Sequence, residues 1–230
     1  MTEAATPVKA ESSERYKTLI VALTMITTII TAIVAGLQAD ANIRANAANR
    51  DSQYYALLAS AELRRSGLQS SYDLNTLAAV LRETQTSLMM QFTALQSEQS
   101  SDKFGAALSN ISALAAQARA DKLRSFSIFY TDPRYAPASL DEMPNTDSYV
   151  IDANARANEL VKEQNAAADA YHVWNSKADS YVGVLTVMAV AFFLFGLAQA
   201  LTGQMRLVFV IFGTVILMSA SAWSLLILVM

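Results

Sequence analysis

The single histidine, His172, is the first side chain whose type suits chemistry. A histidine titrates near neutral pH and can transfer protons or bind a metal. The chain has no cysteine, and no pair of carboxylates flanks His172, so the sequence shows no recognisable metal site. Trp174 and Tyr181 follow it closely, and such aromatic residues are enriched at membrane interfaces. We therefore interpret His172, Trp174 and Tyr181 as an interfacial collar, with a pH-sensing role for His172 left open.

A group of carboxylates is the second candidate for chemistry. It occupies the segment around three prolines and comprises Asp132, Asp141, Glu142, Asp147 and Asp152. Hard cations such as Ca²⁺ take several carboxylate oxygens, but the spacing matches no calcium-binding loop and lacks the central glycine of that loop. We therefore expect a solvated loop, and we predict neither a metal nor a cofactor for this chain.

Other motifs of catalysis or nucleic-acid recognition do not occur. The chain has no glycine-rich phosphate loop, no nucleophile elbow and no zinc-protease helix. Its net charge is −3, whereas nucleic-acid binding depends on clustered lysines and arginines that neutralise phosphates. The sequence therefore predicts a protein that is not an enzyme and does not bind nucleic acid.

Three apolar stretches dominate the layout of the chain, in which 53% of the residues are hydrophobic. They cover residues 18–37, 182–201 and 207–230, and none of them contains a charged residue. Each is long enough to supply the ~20 residues that a membrane-spanning helix needs. The first is longer than the ~7–15 apolar residues of a signal peptide, so we expect a retained anchor. The sequence predicts an integral membrane protein with a tail at 1–17 and a helical extramembrane domain at 38–178.

The orientation follows from basic residues near the predicted span ends. One side carries Lys9, Arg15, Lys17 and Arg206, with Arg206 placed in a short loop at 202–206. The opposite side carries Arg44, Arg50 and Lys177, which weakens the bias. Cytoplasmic loops carry an excess of such residues. We therefore favour a cytoplasmic N-terminus and an extracytoplasmic domain at 38–178, in a bacterial inner membrane.

The extramembrane domain reads as a set of helices. Residues 38–66 predict one helix that ends at Gly67, since glycine commonly caps helix ends. Ser70 and Asp73 have the spacing of a capping box and predict the start of a second helix. Leucines then recur every seven residues along this second helix and predict one packing face, namely Leu74, Leu81, Leu88 and Leu95.

The rest of the domain predicts a third helix, a loop and a returning helix. Phe104, Leu108 and Ile111 fall on one side of a helix from about Asp102 to Ser125. The segment at about 126–147 contains three prolines and is predicted to be non-helical, yet its aromatic residues suggest that it folds back onto the helices. Residues 148–181 are again helical in pattern. The predicted fold is therefore all-α, with an antiparallel helical bundle or stalk outside the membrane.

Small residues in the spans predict close helix packing. Thr24, Thr28, Thr31 and Ala35 share one helical face, Gly36 follows Ala32 by four residues, and Gly196 precedes Ala200 by four. Small side chains let helices approach closely, either within a subunit or between subunits. Because the predicted spans contain no ionisable residue, an ion-coupled transporter is not indicated.

Two short segments carry a resemblance to a known family. They are ANIRANAANRDSQYY at 41–55, after the first span, and AYHVW at 170–174, before the second. With the layout of the whole chain, they resemble an uncharacterised bacterial family of three-span membrane proteins. That family has one N-terminal span, a helical insert and a C-terminal pair of spans. The resemblance implies this layout and no established activity, so it assigns no functional residue.

Three functions remain open from the sequence. The leading hypothesis is a membrane-anchored, self-associating scaffold or interaction protein, either a homo-oligomer or a subunit of a membrane complex. The second is an extracytoplasmic helical sensor that binds a ligand and signals through a partner. The third is an oligomeric channel lined by the threonine-rich first span.

Overall fold

The computed structural model describes residues 8–139 and 142–229, with side chains from residue 17 onward. Within these residues all regular structure is helical: α1 (Val8–Gln99), α2 (Lys103–Phe126), α3 (Ile128–Thr131), α4 (Thr146–Ala200) and α5 (Gln204–Val229). In this part of the chain, α1, α4 and α5 are long and apolar enough to cross a membrane. Residues 1–7 of the predicted tail, Asp141 of the carboxylate group, and Met230 at the end of the third span lie outside the described residues.

Helix α1 runs without a break for 92 residues, so the predicted helix end at Gly67 and the predicted new start at Ser70 are wrong. A glycine inside a helix costs only about 1 kcal/mol relative to alanine, and the surrounding good helix formers offset this cost. Asp73 caps nothing, because its side chain accepts a hydrogen bond from Tyr149 of α4. The capping-box pattern was therefore a misleading local signal.

The first break in the helices comes after Gln99, and Asp102 makes the cap that starts α2. Ser101 takes a left-handed conformation with φ of 63° and turns the chain. The carboxylate of Asp102 accepts a hydrogen bond from the backbone amide of Gly105 at 2.9 Å. This bond satisfies one of the amides that a helix N-terminus otherwise leaves without a partner. Helix α2 occupies the range predicted for the third helix.

The connection between α4 and α5 is shorter than predicted. Gly203 has a φ of +76°, which glycine adopts without steric cost, and α5 begins at the next residue. Arg206 therefore does not lie in a loop, as the sequence suggested, but in the first turn of α5, where it is 8% exposed. Helix α5 thus begins with an ionisable residue that the predicted span excluded.

The chain divides into two compact units. The terminal unit comprises the chain up to Gln53 and from Asn165 onward, and the central unit is Tyr54–Gln164. In the terminal unit, α5 buries one stripe at intervals of three or four residues, which is typical of a helix packed on one side. The stripe consists of Arg206, Val210, Gly213, Leu217, Ala220, Ser224 and Ile227. Its partners include Val34 of α1 and Val184, Met188 and Phe195 of α4.

The helix contact inside the central unit is built from small side chains. The buried residues of α2 are Ala106, Ala113, Ala116 and Ala120. On α1, Ser87 is 1% exposed, and its hydroxyl donates a hydrogen bond to the backbone carbonyl of Ala113 at 3.0 Å. A hydroxyl on a short side chain reaches a backbone carbonyl of another helix only when the two helices are close. This close approach leaves no room for large side chains between α1 and α2.

Candidate interaction surface and polar cleft

The leucines that recur every seven residues lie largely on the outside of the central unit. Leu74, Leu88 and Leu95 are 39%, 59% and 59% exposed, and Leu81 is half-buried. The buried stripe on α1 begins one residue earlier and also repeats every seven residues, through Asp73, Val80, Ser87 and Ala94. The sequence pattern identified a real periodicity, but the inner stripe of this unit is formed by the smaller neighbours of these leucines.

Helix α2 has the same arrangement. Its large apolar residues Phe104, Leu108, Ile111 and Leu114 are exposed, while its alanines face inward. We call the outward-facing Leu74, Leu88 and Leu95 of α1 together with these four residues of α2 the outer apolar surface. Exposed apolar residues that form a large contiguous patch are uncommon on soluble monomers.

The lipid bilayer does not account for the outer apolar surface by the usual criterion. The central unit has no charge-free stretch of the ~20 residues that a spanning helix needs. Arg82 and Glu83 interrupt the leucine repeat, and Lys103 and Arg119 bracket the apolar part of α2. These apolar side chains therefore do not belong to a segment of the kind that spans a hydrocarbon core.

An aromatic cluster closes the central unit where α3 and the following segment meet α1 and α4. Phe129 is fully buried, and its ring centroid lies 4.9 Å from that of Tyr149. Tyr135 packs edge-on against Tyr149, with centroids 5.3 Å apart, and Leu77 of α1 joins the cluster. The proline-containing segment is thus anchored by large side chains, in agreement with the expectation that it folds back onto the helices.

A buried carboxylate lies beside this cluster. Asp73 is 5% exposed, and its Oδ2 accepts a hydrogen bond from the Tyr149 hydroxyl at 2.5 Å. Burial, and next the hydrogen bond to Asp73, raise the pKa of Tyr149 to about 12. The phenol therefore stays protonated across the neutral range and remains a donor to the carboxylate. No local pattern signals this pair, because 76 positions separate the two residues in the chain.

A second hydrogen-bond network ties the loop to α4. Asp152 accepts from the Tyr135 hydroxyl at 2.8 Å and from the Arg134 guanidinium at 3.1 Å. Arg134 also pairs with Asp132 at 2.8 Å, and its hydrogen bond lowers the pKa of that carboxyl. Burial, and then the bond to Asp152, raise the pKa of Tyr135. Two of the carboxylates considered for calcium are thus engaged by an arginine.

The described residues contain no group of histidine, cysteine and acidic side chains that could hold a metal ion. Asp147 and Glu142 are exposed, and Asp141 lies outside the described residues. The cation that neutralises this segment in the structure is the guanidinium of Arg134, which bonds to both Asp132 and Asp152.

A polar cleft of about 350 Å³ opens next to these networks in the central unit. One wall is a single face of α1, with Glu62, Arg65, Ser66 and Gln69. The other wall is formed by α3, the loop and α4, and contributes Ile128, Arg134, Tyr135, Tyr149, Asp152 and Ala153. Ser66 also donates a hydrogen bond to the side-chain oxygen of Asn154 at 3.2 Å, which connects α1 to α4. The cleft combines charged groups of both signs with aromatic surface.

In the terminal unit, the predicted small-residue positions are mostly peripheral. Thr24, Thr31 and Ala35 are half-buried, and Thr28, Gly36, Gly196 and Ala200 are exposed. A methyl group added at Gly36 or Gly196 would meet no atom within 4 Å. Thr24, Thr28 and Thr31 donate their hydroxyl hydrogens to carbonyls of their own helix. These threonines therefore have local partners that do not depend on a water-filled pore.

The close packing in this unit involves Gly213 and Ala220, two small residues of the third apolar stretch, and Thr27 of the first. A methyl group added at Gly213 would lie 2.7 Å from the ring of Phe195, which is fully buried. Thr27 is fully buried, and Ala220 lies in the core of the unit. A glycine in an apolar helix was a usable signal, but Gly36, Gly196 and Gly213 look alike in sequence, and only the neighbouring helices distinguish them.

The predicted aromatic collar divides in the structure. Tyr181 is buried in the core of the terminal unit, Trp174 is half-buried against it, and His172 is exposed. Trp174 lies between two cations, 4.7 Å from the Arg44 guanidinium and 5.2 Å from the Lys177 ammonium. Such contacts attract cations to the ring face. Arg44, which weakened the predicted orientation of the chain in the membrane, thus packs against Trp174.

Together these features define an all-helical protein whose described residues include three helices long and apolar enough to cross a membrane. Comparisons of the chain with protein-family models, with curated proteins and with solved structures give no match.

Proposed function

We propose that this protein is a membrane-anchored scaffold that self-associates through the outer apolar surface of its central unit. The observation that carries the proposal is the exposure of Leu74, Leu88 and Leu95, which are spaced by multiples of seven residues on α1. A seven-residue apolar repeat matches another helix that carries the same repeat, which is the basis of coiled-coil pairing. A second copy of the chain offers such a helix, and symmetric self-contact is the commonest arrangement of soluble oligomers.

The energetic argument favours a stable contact. Full burial of a leucine side chain contributes about 1.5–3 kcal/mol, and each copy would bring its own set of leucines and the apolar residues of α2. Association costs at least about 4 kcal/mol in lost freedom of motion. Several leucines buried together would offset this cost, and the sequence shows no catalytic motif that would favour an enzyme instead.

The proposal includes the finer arrangement expected from the sequence. The helices of the central unit form an antiparallel bundle or stalk outside a bacterial inner membrane, with the N-terminus in the cytoplasm. The bilayer covers the spans, and the exposed Gly36, Gly196 and Ala200 are available for contacts between subunits. No catalytic site is part of this proposal.

The test is the oligomeric state of the full chain in lipid nanodiscs or mild detergent, measured by mass photometry. We expect the wild-type protein to form a defined oligomer. Leu88→Glu combined with Leu95→Glu places charges on the outer apolar surface and should release monomers. Met89→Glu is the matched control, because Met89 is 69% exposed and lies beside Leu88 but off the leucine repeat.

A strictly monomeric wild-type protein would contradict the proposal. It would also fail if the double variant kept the wild-type oligomer, or if Met89→Glu dissociated the oligomer as strongly as the double variant. Circular dichroism of each variant checks that its helices are retained.

A second candidate function is ligand sensing, and the polar cleft favours it. Binding sites are typically concave, with a few converging polar groups beside apolar surface. The cleft brings Arg65, Tyr135 and Asp152 together from different segments of the chain. Calorimetry that measures the binding of small molecules to the full chain tests this candidate function independently of self-association.

A further inference from the structure

The walls of the polar cleft contain two charged side chains that have no partner of their own. Glu62 and Arg65 lie three positions apart on one face of α1. Within the described part of the chain, neither makes an ion pair or a side-chain hydrogen bond. Arg134 and Asp152, on the other wall, are already joined to each other. The cleft therefore offers one uncommitted positive charge and one uncommitted negative charge.

We propose that the cleft binds a small zwitterion that carries one carboxylate and one ammonium group, such as an α-amino acid. Arg65 binds the carboxylate, since a guanidinium presents paired donors that match carboxylate geometry. Glu62 accepts from the ammonium group, and Asp152 adds negative charge from the facing wall. The rings of Tyr135 and Tyr149 and the side chain of Ile128 provide the apolar surface for the rest of the ligand.

Size and charge both favour this ligand class. A volume of about 350 Å³ lies at the small end of the range for ligand pockets, which suits a single amino acid rather than a nucleotide. A simple carboxylate can engage only Arg65, and a simple amine can engage only Glu62. A ligand with both charges can bind the two side chains at once. This inference rests on the second candidate function, ligand sensing, and is independent of self-association.

The experiment uses the full chain in lipid nanodiscs and isothermal titration calorimetry. The probes are the proteinogenic amino acids at millimolar concentration, together with acetate, propionate, methylamine and ethanolamine as ligands that carry one charge. We expect at least one amino acid to bind, and the single-charge ligands to bind much more weakly. When an amino acid binds, hydrogen exchange should slow at backbone amides within Tyr54–Gln164.

Variants then identify the site. Because a hydrogen bond to a charged group is stronger than one between neutral groups, Arg65→Gln and Glu62→Gln should each weaken binding by about tenfold or more. Arg64→Gln and Glu163→Gln are the matched controls, since both residues are exposed and neither lines the cleft. The controls should bind like the wild-type protein.

The absence of binding by every amino acid would overturn the proposal, as would binding that is unchanged in Arg65→Gln and Glu62→Gln. Equal binding of acetate or methylamine would overturn the zwitterion class while leaving ligand sensing intact. Mass photometry on the same samples reports self-association separately, so failure of this inference is distinguishable from failure of the scaffold proposal.

Discussion

The terminal and central units both expose large apolar side chains, yet these side chains differ in what can cover them. In the terminal unit, Ile29, Met218 and Leu225 are exposed on helices that are long and apolar enough to cross a membrane. Acyl chains are the natural surroundings of such residues. In the central unit, Leu88, Phe104 and other members of the outer apolar surface are as exposed, but charged residues interrupt their segments.

The interiors of the two units differ as well. The terminal unit buries large side chains such as Phe195 and Met188, and the ring of Phe195 lies against Gly213, so a large residue meets a small one there. In the central unit, serine and alanines line the contact between α1 and α2, and the large residues gather at the aromatic cluster. Where two helices approach closely through small side chains, as α1 and α2 do, the large apolar residues of those helices lie on the outside.

The largest predicted effect tests whether the aromatic cluster holds the central unit together. Phe129→Ala should lower the free energy of unfolding by about 3–5 kcal/mol, because it removes a fully buried ring. Phe126→Ala is the control, since Phe126 is 66% exposed. Hydrogen exchange across Tyr54–Gln164 measures the stability of the central unit in both variants. Equal loss in the two variants would show that the cluster is not the core of this unit.

The next prediction concerns the large-to-small contact of the terminal unit. Gly213→Ala should destabilise this unit by about 1–3 kcal/mol, because its new methyl group would force the buried ring of Phe195 to move. Gly196→Ala introduces the same methyl group where no atom lies within 4 Å, and should be slightly stabilising because alanine is the better helix former. Thermal unfolding in the same detergent compares them. A neutral Gly213→Ala would mean that this contact is loose.

A pH dependence should belong to the central unit. The folded state raises the pKa of Tyr149 to about 12, above the ~10 of a free tyrosine, so folding favours the protonated phenol. The resulting stability is complete below about pH 10 and is lost as the pH rises towards 12. With allowance for solvent screening, its size is about 1–2 kcal/mol.

Tyr149→Phe should remove this part of the alkaline slope. Denaturation by urea at several pH values between neutral and about 12 measures it, with Tyr72→Phe as the control because Tyr72 is exposed. If the slope of the Tyr149→Phe variant equals that of the wild-type protein, the phenol is not the group responsible.

The smallest predicted effects come from exposed ion pairs, one in each unit. Arg119→Gln in the central unit breaks a pair with Glu83 at 2.9 Å, and should cost less than about 1 kcal/mol. Arg44→Gln in the terminal unit breaks a pair with Asp40 and also removes the cation above Trp174, so we expect it to cost slightly more. Thermal unfolding at low and high salt checks the order, and the reverse order would contradict it.

Several local features were predictable from the sequence because their cause is local. The apolar segments, the cap at Asp102 and the break after Gln99 depend on residues that are neighbours in the chain. Gly67 misled the prediction because a single glycine does not end a helix that has good helix formers on both sides. Arg206 was wrongly assigned to a loop because the turn at Gly203 is short and α5 already begins at Gln204.

The helical class, the three apolar helices and the seven-residue periodicity on α1 follow from the spacing of neighbouring residues in the sequence. Which stripe of α1 faces inward depends on the tertiary structure. It placed Ser87 and Ala113 in contact, brought Tyr149 to Asp73, and assembled a cleft from segments distant in the chain. The physical reason is that inward and outward faces depend on how closely two helices approach, and no local pattern encodes that distance.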